Sequence, residues 1–217
     1  GAAMADRNGV RCPSVIPISP ATIVFGCDGN DNKVFNETND AIDRACNHVS
    51  WEDGTAFADW AGLRPMTELE FEKACRGPMT PVADEYAWGS TNIVRQTGHS
   101  GPDGTGTETA SPATADCNNN TGLTGPVRAG IYATANSSRE QAGASYWGIM
   151  ELSGNIWERL VSVGSATGRT FTGLMGDGTL DVSGNANVSL WPATAGAGYR
   201  GGTWGDTSVQ ARVSSRH

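Results

Sequence analysis

Cysteine is the residue type here with the most intrinsic chemistry, and its spacing argues against a cluster. Cys12, Cys27, Cys46, Cys75 and Cys117 are an odd set with no C-x-x-C and no close pair. Such a set is not a disulfide framework, so free buried thiols, with at most one bridge, are expected. His48, His99 and His217 lie far apart, and none sits in a metal-ligand motif. Asp177 and Asp181 have the types of an acid/base pair, but they occupy a Gly-rich stretch where Asp serves turns. The segment from Tyr199 to His217, where the site is expected, contains no catalytic nucleophile and no metal cluster. On these residues the chain reads as a ligand-binding domain and not as an enzyme.

Charge and composition narrow the partners. The formal net charge is −8, which argues against nucleic acid, whose affinity comes mostly from basic residues on phosphate. It argues equally against an anionic membrane surface. No run of about 18 apolar residues exists, so membrane insertion is not expected. With 29 Gly and 7 Trp among 217 residues, one loop-rich domain with large aromatic anchors is predicted over residues 5–217. Gly1-Ala2-Ala3-Met4 reads as an addition before a native start. The Asn-x-Ser/Thr triplets at Asn36, Asn136 and Asn187 are cheap matches in an Asn- and Ser-rich chain.

Two helices must position whatever the site is. Ser50 precedes Trp51 to Ala61, with Asp53 three residues on and Gly62 at the stop, and Trp51, Thr55, Ala58 and Ala61 share a face. Thr67 opens a second helix with a Thr-x-x-Glu box to Glu70, running through Arg76 to Gly77-Pro78. Short strands are predicted at Val15-Ile16, Ile23 to Phe25, Leu160 to Val163 and Arg169 to Thr172. Residues 77–145, including Gly98 to Gly106 and Asn118 to Gly122, read as loops.

Three segments, in this order and spacing, resemble the formylglycine-generating enzyme (sulfatase-modifying factor) family. They are Val49-Ser50-Trp51-Glu52-Asp53 through Arg64 to Gly77, then Trp147 to Glu158 with Ser153-Gly154-Asn155-Ile156-Trp157-Glu158, then Tyr199-Arg200-Gly201-Gly202-Thr203-Trp204. The resemblance implies an α+β, C-type-lectin-like fold: a small mixed sheet, two helices and extensive irregular loops. Trp51, Trp60, Trp147 and Trp157 are then expected as fold determinants. Enzymes of the family bind copper through a cysteine pair, and soft thiolates suit Cu(I). Those positions fall here on Asp206 and Ala211, so no copper is expected. A calcium site of backbone carbonyls and a carboxylate is implied at Gly154, Asn155, Ile156 and Glu158, where hard oxygen donors in a tight loop suit Ca²⁺. Arg159 or backbone amides are the alternative partners for Glu158.

The C-terminal segment is also similar to that of variable proteins of diversity-generating retroelements. Arg200 to Trp204, Ala211-Arg212 and Ser215-Arg216 correspond to a constant frame. The diversified, ligand-binding positions are then Gly205, Asp206, Thr207, Val209, Gln210, Ser214 and His217, with Tyr199 and Trp204 beside them. The implied protein is a receptor-binding one on a virion or cell surface, its partner a protein or surface glycan. A calcium-dependent lectin or a divergent oxidase are the alternatives. The family's further strand with Gly-Phe-Arg is expected beyond His217.

Overall fold

The computed structural model describes residues 7–12, 24–120 and 122–217. Two helices form where the caps predict them. Helix α1, Trp51–Trp60, opens on Ser50, whose hydroxyl accepts from Asp53 N while Asp53 Oδ2 accepts from Ser50 N. Helix α2, Glu68–Arg76, repeats the reciprocal bonds between Thr67 and Glu70. Each box satisfies backbone donors that the first turn would leave unpaired. Gly77 ends α2 at φ 62°, a left-handed value that a side chain resists.

Helix α1 buries Trp51, Thr55, Ala58 and Asp59. The Trp51 indole donates to Pro192 O at 2.8 Å, tying the helix to a distant loop. Ala61, expected on that face, is exposed because the helix has already ended. Two of the four tryptophans expected as determinants also differ: Trp60 is 63% and Trp147 60% exposed. Helix α2 buries Phe71 and Cys75 completely, and they join Tyr86, Trp88, Cys117, Leu152, Leu160, Ala211 and Val213 in the main core. Truncating Phe71 to Ala there is expected to cost about 3–5 kcal/mol. A second cluster holds Ala115, Val127, Ile131 and Tyr132.

The strands are short and pair antiparallel in twos. Strand β1, Val10–Arg11, pairs with β2, Gly26–Cys27. Strand β3, Gly98–Ser100, pairs with β4, Thr109–Ser111, making a hairpin inside a stretch expected to be loop. Strand β5, Glu158–Val161, pairs with β6, Ala197–Arg200, placing Arg159 opposite Tyr199. Strand β5 begins two residues before the expected Leu160 to Val163 strand. Arg169 to Thr172 is not a strand: Gly168–Thr170 forms a 3-10 turn, with Gly168 buried against the backbone of Ser162. The expected strand at Val15-Ile16 and residue Ile23 lie outside the described residues. With two helices, small sheets and much irregular chain, the architecture is α+β.

The five cysteines are free. Cys75 and Cys117 are the buried thiols the sequence leads one to expect; burial raises both thiol pKa values, strongly for Cys117. Cys46 departs from that expectation and is exposed.

Candidate functional site

The Ser153 to Glu158 loop is the hub that brings distant segments together. Gly154 and Asn155 take left-handed φ values of 89° and 68°, so the chain curls tightly. Ser153 Oγ donates to Ala211 O at 2.7 Å and accepts from Ala87 N at 3.0 Å. Asn155 Oδ1 accepts from Val127 N at 2.8 Å and Asn118 Nδ2 at 3.3 Å. Trp204 N donates to Asn155 O at 3.2 Å, and Gly154 N to Gly201 O at 2.7 Å. The loop therefore carries the C-terminal segment on its back.

That segment is two-sided. Gly201, Gly202, Ala211 and Val213 are buried, whereas Gly205, Thr207, Val209, Ser214 and His217 are exposed. Arg200 is fully buried, donating to Glu72 Oε1 at 2.9 Å and to Val213 O, with its guanidinium 5.3 Å from the Phe71 ring centroid. Arg216 binds Glu68 and Glu72 at 3.1 and 2.8 Å. The buried Asn119 side chain reaches Thr203 O at 3.0 Å. The turns above it close on themselves: Asp206 Oδ2 accepts from Thr203 N and Oγ1, and Gln210 Oε1 from Thr207 N and Oγ1. Asp206 and Gln210 thus serve turn geometry first, whatever else they meet.

Beside this segment lies a groove of about 440 Å³. Trp157, Tyr199 and Trp204 wall one side, and the Cys46 to Ser50 loop forms the other. The rings of Trp157 and Tyr199 meet edge to face at 6.0 Å, and His217 packs 5.0 Å from Trp157. Arg159 lines the groove with its guanidinium 4.8 Å over the Tyr199 ring. Of the expected ligand positions, Tyr199 and Trp204 line the groove and His217 sits at its rim. Gly205, Asp206, Thr207, Val209, Gln210 and Ser214 lie outside its lining. Cys46, His48 and Arg159 are groove residues that sequence reasoning missed. The signal for Arg159 was strand alternation after Glu158; Cys46 and His48 have none, since loop packing brings them there.

The copper positions do not suit a soft metal. Ala211 is fully buried and offers no donor, and the Asp206 carboxylate is engaged by Thr203. The calcium positions fare better. Glu158 Oε2 is buried without a hydrogen-bond partner, and burial pushes its carboxyl well above the ordinary carboxylate range. Nearby Glu151, raised by burial to about 7, adds like charge. A buried carboxylate in this state calls for a cation or a proton. Arg159 does not answer it, because the side chain turns to Tyr199 on the other face of the strand. The Asn155 side chain is committed to Val127 and Asn118, which leaves only its backbone for a metal.

Although no histidine sits in a metal-ligand motif of the sequence, the fold brings one near two carboxylates. His99, Asp103 and Glu108 bring ligand atoms within 4.8 Å of one another. Two cations already sit there: Arg44 binds Glu108 and Asp103 at 2.8 and 3.0 Å, and Arg7 binds Glu108 at 3.1 Å. Asp177 and Asp181 accept from turn residues Thr179, Ser183 and Asn185, and these hydrogen bonds lower both carboxyl pKa values.

The family described as "Sulfatase-modifying factor enzyme 1-like domain" matches residues 6–217. A formylglycine-generating enzyme of Streptomyces coelicolor is 55% identical over 42 residues, 19% of this chain and 13% of that protein. A hercynine oxygenase of Mycolicibacterium smegmatis is 30% identical over 117 residues, 54% of this chain and 21% of its own length. The formylglycine-generating enzyme of Mus musculus is 33% identical over 98 residues, 39% and 25% respectively. The chain thus spans a quarter or less of these relatives. No solved structure matches it. The relatives bear enzyme names, which overturns the expectation that this chain is not an enzyme: the missing cysteine pair excludes one reactive group, and the inference from that loss to no catalysis was too broad. The chain belongs to the sulfatase-modifying factor enzyme 1-like family.

Proposed function

We propose that the groove walled by Trp157, Tyr199 and Trp204 is the substrate site of a divergent oxidase of the formylglycine-generating-enzyme type, on a C-type-lectin-like fold. The carrying observation is the groove itself, a concave, aromatic-lined site of a size suited to a small ligand, in a family whose named relatives are enzymes. The two capped helices and the large irregular share support the fold reading. Asp206 and Ala211 take no part as metal ligands, so the reactive group lies elsewhere. The chain's own contribution is binding and orientation: flat rings stack the substrate, and the Cys46 to Ser50 loop narrows access to water. The test is loss of thiol from cysteine-containing peptides under oxygen, by mass spectrometry, in the protein and in Trp157→Ala. Turnover that depends on Trp157 is expected; no turnover for any thiol peptide sinks the oxidase reading.

A second reading keeps the same surface as a diversified display face, that of a retroelement variable protein on a virion or cell surface meeting a protein or glycan. It is favoured by the sidedness of residues 199–217, with buried frame residues Gly201, Gly202, Ala211 and Val213 beneath exposed Gly205, Thr207, Val209 and Ser214. Surface changes on such a frame are nearly neutral for stability. A neighbouring reverse transcriptase gene and a near-repeat of the 3′ end differing at adenines would support it; an intact locus without either would exclude it.

Calcium would be held by the Gly154 and Ile156 carbonyls with the Glu158 carboxylate, and would supply a structural clamp. Calcium should raise the melting temperature of the protein and leave Glu158→Gln unmoved. An equal rise in both would reject the site.

A further inference from the structure

We propose that the groove recognises a carboxylate through Arg159, on a ligand whose flat or apolar body lies against Trp157 and Trp204. The inference rests on the groove reading above and adds the chemistry of what the groove takes.

Arg159 reaches the groove because β5 alternates. Glu158 turns into the protein, and Arg159, opposite Tyr199 in the β5–β6 register, turns out. Its guanidinium lies on the Tyr199 ring at 4.8 Å. Contact with the ring restrains the group, and N–H donors not turned to the ring stay available. Among the described residues the Arg159 side chain makes no hydrogen bond or ion pair. Glu52 and Asp53 lie close enough to feel the Arg159 charge, but neither bonds to it: the Glu52 carboxylate accepts from the Thr194 hydroxyl and Asp53 closes the α1 cap, while Asp206 closes the Thr203 turn. A charged fork held over an aromatic ring at the wall of a partly enclosed site matches a planar carboxylate, which it can bind through two parallel bonds.

Size and field narrow the class further. About 440 Å³ admits a ligand of dipeptide or monosaccharide size. The chain's net charge of −8 repels anions at a distance, so selection must come from short-range contact at Arg159. The carboxylate can come from an acidic amino-acid side chain or from a uronic acid.

The probes are acetyl-Phe-Glu-amide against acetyl-Phe-Gln-amide, and glucuronic acid against glucose, titrated by calorimetry into the protein, Arg159→Gln, Arg159→Lys and Trp157→Ala. The charged member of at least one pair should bind about tenfold tighter than its neutral partner. Arg159→Gln should erase that preference, so that the charged and neutral probes bind it alike, and Arg159→Lys should keep part of it. Which pair shows the preference identifies the source of the carboxylate. If neither pair shows an Arg159-dependent preference, or no probe binds at millimolar concentration, the inference falls. A neutral dipeptide whose binding needs Trp157 but gains nothing from charge would leave the groove reading standing and remove the carboxylate alone. Charged-probe binding untouched by Trp157→Ala would instead show that the groove is not the site, and would overturn both.

Discussion

The two sides of the 199–217 segment obey different rules. On the underside Arg200, Ala211 and Val213 are sealed into the core and tied to α2 and to Ser153. On the outer side Gly205, Thr207, Val209 and Ser214 face solvent on turns that hold themselves in shape. Shape therefore comes from below, while the outer side is free of core packing, so substitutions on the two sides should separate cleanly in effect.

The largest effect is expected at Arg200. Arg200→Ala should lower unfolding free energy by about 3 kcal/mol in urea titrations, near the low end for a broken buried pair, because Glu72 keeps Arg76 and Arg216. A loss below 1 kcal/mol would mean that the underside is not the anchor. Next comes Asp116, buried beside core Cys117, whose carboxyl burial raises to about 6. The folded state holds this proton longer than the unfolded chain does. Its stabilising contribution is therefore complete below about pH 4 and is lost as pH rises through about 6, at most about 3 kcal/mol. Asp116→Asn should flatten that part of the stability curve; an unchanged slope would assign the pH dependence to another group.

How much of this comparison could be read from the residues alone differs by region. The helices were legible because caps are local: Ser50 with Asp53 and Thr67 with Glu70 lie three residues apart and bond as their spacing predicts. The sidedness of the C-terminal segment was legible in part, through the frame Gly201-Gly202 and Ala211. The groove was not, because its walls come from residues about 110 and 150 positions apart, and no local period encodes their meeting. The β3–β4 hairpin was missed for a related reason: Gly98 to Ser100 has no apolar alternation, and pairing with Thr109 to Ser111 is what makes it a strand. Trp60 and Trp147 show the converse error, since a family motif specifies residue types and not which of them a given relative buries.

Two smaller effects sharpen the contrast. Asn119→Ala removes a buried bond to Thr203 O and should cost about 1–3 kcal/mol while loosening the groove rim, visible as faster amide exchange at Thr203 to Thr207. If exchange there is unchanged, the turns hold their shape without the cradle. At the far end of the scale, Thr207→Ala, Val209→Ser and Ser214→Ala should each stay within about 0.5 kcal/mol. A larger cost at Val209 would show that the outer side carries packing after all.

The bonds that seat the C-terminal segment also set when the site can exist. Ser153 reaches Ala211 across 58 residues, Asn119 reaches Thr203 across 84, and Arg216 reaches Glu68 across 148. Each such closure must order a long stretch of chain before it is rewarded, which slows folding. During synthesis the helices and the Ser153 loop are made before Tyr199 and Trp204, and the groove acquires that wall only when those residues dock. The groove thus forms after the helices and the loop, and a ribosome-bound chain stalled before Tyr199 would carry a core with an open seam and a groove without that wall.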